Sequence, residues 1–154
     1  MKQKSKDVIV DTSCLVLLHK IEELNILKNL FEKIYITSEI KKEFGEGLPK
    51  WIKIEDPKDD NYQKVLEIEI DKGEASALAL SIDLPNSIIV LDDHKARKVA
   101  SKINLSYTGT FGILLRAKKN GIIKELKPIV EKIRNTDFRF SDELFDLLLK
   151  EAGE

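Results

Sequence analysis

The chain has 154 residues and a mass of 17.6 kDa, is 42% hydrophobic and 34% charged, and carries a formal net charge of -1. That describes one globular domain with a sizeable core, spanning residues 1–154, and no global positive field for nucleic acid, so such a partner has to be held by a local patch or through metal ions. The lone Cys14 excludes an internal disulfide and a cysteine-rich zinc site, and no apolar run reaches the length of a membrane span. The polar segment 2–7 leads directly into a strand, which predicts a cytoplasmic protein without a signal peptide or membrane association.

Val8, Ile9 and Val10 form a short β-branched run ending in Asp11, with Thr12 and Ser13 behind it. Apolar spacing then predicts a helix over 15–21 and a second over 24–31, followed by a strand at 34–36. Thr37 or Ser38 offers an N-cap for a helix carrying Ile40, Glu43 and Phe44, which Gly45, Gly47 and Pro49 terminate. A small edge strand is expected at 51–54, a loop over 56–61 and a helix over 65–70. Glu74, after Gly73, opens a helix bearing Ala75, Leu78, Ala79 and Ile82, and Pro85-Asn86 turns the chain into Ile88-Ile89-Val90-Leu91.

That uninterrupted apolar run reads as a strand buried on both faces, and it ends in Asp92-Asp93. A helix with Ala96, Val99, Ala100 and Ile103 follows, then a short strand at 105–107 and a helix over 111–117 that stops at Asn120-Gly121. Two closing helices occupy 126–133 and 144–149, the second introduced by Ser141-Asp142-Glu143. Strands alternating with helices predict an α/β three-layer sandwich around a mostly parallel sheet.

In such a fold, strands release their chain at the carboxyl edge of the sheet, where ligands bind. Asp11 and Asp92-Asp93 end two strands there, Glu43 lies in the helix after another, and Glu74 stands at a helix start. All but Asp11 have a plainer role: Asp92 or Asp93 as an N-cap, Glu74 as an acid favoured by the helix dipole, Glu43 as a solvated helix residue; Asp11 is harder to dismiss, because Thr12 or Ser13 could cap the next helix without it. Their joint arrival at strand and helix ends is the stronger signal.

The segment 8–13, the helix with Glu43, Gly73-Glu74-Ala75 and Leu91-Asp92-Asp93 together resemble the PIN-domain superfamily, metal-dependent nucleases that include VapC-like toxins. Thr108 to Gly112, Leu115 to Gly121 and Phe140 to Leu144 look like one small, largely uncharacterised prokaryotic branch of it. The resemblance implies a PIN-like fold with Asp11, Glu43, Glu74 and Asp93 as catalytic metal-ligating acids and Asp92 as an auxiliary ligand or outer anion. It also implies an RNA substrate, a homodimer and, for a toxin, an antitoxin protein partner. Leu91 stands where active toxins commonly have threonine.

Several carboxylates in one cleft repel one another, and a divalent cation removes that repulsion. All-oxygen ligation selects Mg²⁺ or Mn²⁺, which can activate water for in-line attack on a phosphodiester. Thr12, Ser13 and Thr110 are candidates to hydrogen-bond ligands or phosphate, and Lys95, Arg97, Lys98 and Arg116 to contact nucleic acid. His94 reads as a solvent-facing first-turn residue, His19 as a surface residue and Cys14 as buried core. The leading expectation is therefore a metal-dependent endoribonuclease. The alternative is a weakly active or inactive PIN-like module that binds RNA or a protein. A phosphotransfer receiver fits poorly, because Asp92-Asp93 come too late in the chain to be its central phosphoacceptor.

Overall fold

The computed structural model describes residues 7–154; the rest of the polar segment expected ahead of the first strand, residues 2–6, lies outside the described residues. The first strand, β1 (Asp7–Val10), leads into α1 (Thr12–Lys20) and α2 (Asn25–Leu30). Strand β2 (Ile34–Ile36), α3 (Ser38–Phe44), β3 (Ile52–Ile54) and α4 (Asn61–Leu66) follow. Next come α5 (Lys72–Asp83), β4 (Ser87–Val90), α6 (His94–Lys102) and β5 (Tyr107–Thr108). The chain closes with α7 (Thr110–Lys119), α8 (Lys127–Arg134) and α9 (Asp142–Glu151).

All strand pairs are parallel, in the order β3-β2-β1-β4-β5. Val8 pairs with Ile34 on one side of β1 and with Ile88 on the other. Side chains alternate between sheet faces, yet Val8, Ile9 and Val10 are all fully buried, so helices cover both faces of the central strand. This is the α/β sandwich expected, with the sheet parallel throughout. On the edge strand β3, only Ile52 is buried, as a strand with one neighbour allows.

Two helices begin earlier than their apolar pattern suggests, because polar caps decide their starts. Helix α1 opens at Thr12 rather than Leu15: Asp11 is itself the N-cap, accepting the Cys14 amide at 3.1 Å. Helix α5 opens at Lys72, with Asp71 accepting the Glu74 amide at 3.1 Å. The helix expected over 65–70 ends at Leu66 instead, and turns carry the chain to the Asp71 cap. There Ile70 is buried, while Val65 and Ile68 stay exposed.

The closing segment is locked by Glu154, whose carboxylate accepts the Leu126 amide at 2.7 Å, the Lys127 amide at 3.1 Å and the Lys118 ammonium at 2.9 Å. Burial alone would raise its pKa, but the Leu126 amide, Lys118 and the Lys127 amide outweigh burial and hold it at about 2. This stabilisation is complete above the ordinary value of 4.5 and is lost as pH falls toward 2. Glu154→Gln is therefore expected to cost about 1 kcal/mol at neutral pH. In urea titrations that deficit should shrink below about pH 4.

Candidate active site

In this strand order, the chain leaves β1 toward β2 on one side and leaves β4 toward β5 on the other. The switch point lies between β1 and β4, and a parallel sheet is open to ligands just beyond their carboxyl ends. Asp11 follows β1 directly and Asp92-Asp93 come just after β4, so all three acids are delivered to that crevice by the sheet itself.

Asp11 is only 4% exposed. It accepts the Cys14 amide and, at 3.2 Å, the Ser13 hydroxyl, and no salt bridge reaches it among the described residues. Burial, then the neighbouring Asp92 charge, push its pKa from 3.8 up to about 7, against hydrogen bonds that lower it. A cleft of about 210 Å³ opens beside it, lined by Asp11, Thr12, Ser13, Glu43, Asp71 and Glu74.

Glu43 reaches the cleft from α3, and the Thr12 hydroxyl donates to its Oε1 at 2.7 Å. Its place depends on Gly73: a Cβ there would overlap the Glu43 carboxylate. Gly73→Ala is expected to leave the fold intact while displacing Glu43, so catalytic activity should fall by at least about ten-fold with no loss of melting temperature. Full activity in that variant would remove Glu43 from the working site.

Glu74 enters from the first turn of α5. Burial comes first, then Asp71 and Asp93, and these with Asp11 push its pKa from 4.5 to about 8, so it holds a proton near neutrality beside Asp71. Asp71 was not among the residues singled out from the sequence. The available signal was its spacing, an Asp three residues before a Glu, which marks a capped helix start.

The two adjacent acids divide their work. Asp92 is held by α7: the Thr110 amide donates at 2.8 Å to Oδ1, the buried Thr110 hydroxyl donates to Oδ2, and the Arg97 guanidinium lies 4.0 Å away. Gly109 permits this approach, since a Cβ there would overlap both Arg97 and Asp92. Asp93 caps α6 through Oδ2, which accepts the Ala96 amide at 2.9 Å. The capping role weighed from the sequence is thus real for Asp93, whose charge also acts on Glu74.

The basic candidates separate as well. Arg97 donates from Nε to the Leu91 carbonyl at 2.6 Å and lies over the Tyr107 ring, so it braces the Asp92 loop. Arg116 is half-buried, with its guanidinium over Phe31. Lys95 and Lys98 remain exposed on α6. Exposed His94 sits in the first turn of that helix, and His19 pairs with Glu46 at 2.6 Å. Burial above all, then the Asp11 charge, push the Cys14 thiol well up, so it is an inert core group.

Among the described residues, no three His, Cys, Asp or Glu side chains converge closely enough to hold one metal ion as they stand. The donor set nevertheless suits a hard cation. All candidate ligands are oxygens, one is a buried acid without a counter-charge, and Mg²⁺ commonly uses only one or two carboxylates together with water and substrate phosphates. Among the described residues, no helix is long and apolar enough to cross a membrane. No curated protein matches the chain. A family model described as a PIN domain matches residues 7–154.

Proposed function

The chain belongs to the PIN-domain family, whose members are generally nucleases, and from that premise we propose that it is a divalent-metal-dependent endoribonuclease. The observation that carries this reading is the buried, unpaired Asp11 at the switch point, sharing its cleft with Glu43, Asp71 and Glu74 from two other helices. Asp11, Asp93 and Glu74 would hold Mg²⁺ or Mn²⁺, with Glu43 completing the set. A bound divalent cation supplies Lewis acidity toward the scissile phosphate and the attacking water.

The chain's own groups do the rest. Thr12 holds Glu43 in place, and Ser13 holds Asp11 Oδ2. Thr110 and Arg97 hold Asp92, and through it the loop that carries Asp93. Glu74, whose proton burial and the Asp71 and Asp93 charges retain in the metal-free cleft, would lose it on binding a divalent cation. A binding-only module is the second reading, favoured by the lack of a three-carboxylate group already in ligating position among the described residues.

The test is cleavage of end-labelled single-stranded RNA by purified protein with Mn²⁺, Mg²⁺ or EDTA. Cutting that needs a divalent cation and is abolished by EDTA supports the nuclease. RNA binding without cutting in either cation supports the binding-only module. The toxin role belongs to the same reading, and growth arrest on expression of an active form, relieved by loss of activity, is its signature.

A further inference from the structure

A second cavity, of about 570 Å³, lies against α6 and is lined by Glu69, Asp93, His94, Lys95, Lys98, Val99 and Lys102. We propose that it is a single-stranded RNA track, in which Lys95, Lys98 and Lys102 hold successive backbone phosphates and feed the strand past Asp93 into the acid cleft. This rests on the nuclease reading and adds to it a route and a recognition mode.

The helix geometry supports the track. At 3.6 residues and 5.4 Å per turn, positions 95, 98 and 102 fall within about 60° of arc and spread over about 10 Å of helix. Along a stacked strand the phosphate charge repeats roughly every 3.4 Å of axis, so the three ammonium groups reach over about three nucleotide steps. Ala96, Val99 and Ala100 turn the opposite face of α6 into the core, which leaves the lysines no other direction than solvent and the groove. Among the described residues, none of the three lysines makes a salt bridge.

The groove and the acid cleft share no lining residue, and Asp93 links them by its charge. Asp93 belongs to the groove's lining, and the same carboxylate lies near enough to Glu74 for its charge to be felt there. An acid cleft repels a polyanion, and the chain as a whole carries a net charge of -1. A local row of cations at the cleft's edge offsets that repulsion where the strand has to approach. The track offers phosphate contacts and, beyond His94, no aromatic side chain in its lining, so it predicts binding with little sequence preference.

The test measures binding of a short fluorescein-labelled single-stranded RNA by anisotropy, in EDTA so that nothing is cut, from low to physiological salt. The triple variant Lys95→Gln, Lys98→Gln, Lys102→Gln should bind at least about ten-fold more weakly and lose about 2 from the slope of log affinity against log salt, about 0.7 for each phosphate contact. Lys98→Gln alone should lose about 0.7, which keeps the test available if the triple variant folds poorly. The control triple variant Lys28→Gln, Lys33→Gln, Lys53→Gln removes the same charge elsewhere and should bind as wild type does.

An unchanged slope in the α6 variants overturns the track, as does equal weakening in the control or equally tight binding of an RNA duplex. Cleavage in Mn²⁺ by the wild type and the α6 variants, measured separately, distinguishes the two levels. Cutting that ignores the α6 lysines refutes the track alone, while lysine-dependent binding without cutting refutes the nuclease alone.

Discussion

Asp11→Asn is expected to abolish RNA cleavage and, in EDTA at pH 8, to melt about 10 °C above the wild type. Asn keeps the cap on the Cys14 amide, since Asn and Asp serve almost equally at N-cap positions. What it removes is a buried negative charge. The Asp11 pKa is 3.8 in the unfolded chain and about 7 in the folded protein, so between those values the folded state holds a proton that the unfolded state has released. Wild-type stability therefore falls as pH rises from about 4 to about 7 and levels off above that. At 1.36 kcal/mol per unit, the loss is on the order of 4 kcal/mol, which for a domain of this size corresponds to about 10 °C. Asn titrates nowhere in this range, so the variant should lose the Asp11 share of the slope. Glu74, raised to about 8, contributes a decline in the same direction that the variant retains. Urea midpoints at pH 5 and pH 8 measure both. Equal slopes in wild type and variant would show that Asp11 carries no uncompensated charge. Mn²⁺ at pH 8 should stabilise the wild type and leave the variant nearly unmoved, because binding to the native state alone stabilises by mass action.

The second large effect separates the adjacent acids. Asp93→Asn should reduce cleavage by about 100-fold or more while leaving the melting temperature within a degree or two, because Asn can still accept the Ala96 amide. Asp92→Asn should do the reverse. It weakens the bonds from the Thr110 amide and hydroxyl and the attraction of Arg97, so it should cost about 1 kcal/mol and only a modest fraction of the activity. The observation behind this division is that both Asp92 oxygens already serve α7, whereas Asp93 uses one oxygen for its cap. Cleavage rates and melting curves on the two single variants suffice. A greater loss of cleavage in Asp92→Asn would transfer the ligand role to Asp92.

The strands and most of the helices follow from short-range patterns that survive without tertiary context. The runs at 8–10 and 89–91 are apolar without alternation because both faces of a central parallel strand are covered, and that burial is visible in composition alone. The acids that end those runs were equally plain, since a charged residue directly after a buried strand has to emerge at the sheet's edge. Helix starts were less plain. Asp11 and Asp71 compete with the apolar period for the first turn, and a side-chain bond to an amide three residues on decides the competition. Asp71 is not legible as a site residue for that reason, although its spacing to Glu74 is present in the sequence.

What the sequence by itself determined is the order of strands and helices along the chain and the identity of four acids at their ends. Only the tertiary structure decided which acids share a cleft and what else holds them. Pairwise approach across the sheet is set by strand order, and nothing local specifies that β1 lies beside β4. The contact of Thr12 with Glu43, the overlap that makes Gly73 necessary, and the grip of Thr110 on Asp92 all join residues at least 18 positions apart. Such contacts depend on how whole elements pack, so a local pattern carries no trace of them. The same holds for the basic residues. Arg97 and Arg116 are turned onto a loop and a ring by packing, while Lys95, Lys98 and Lys102 are left along a groove because the opposite face of their helix is the one the core required.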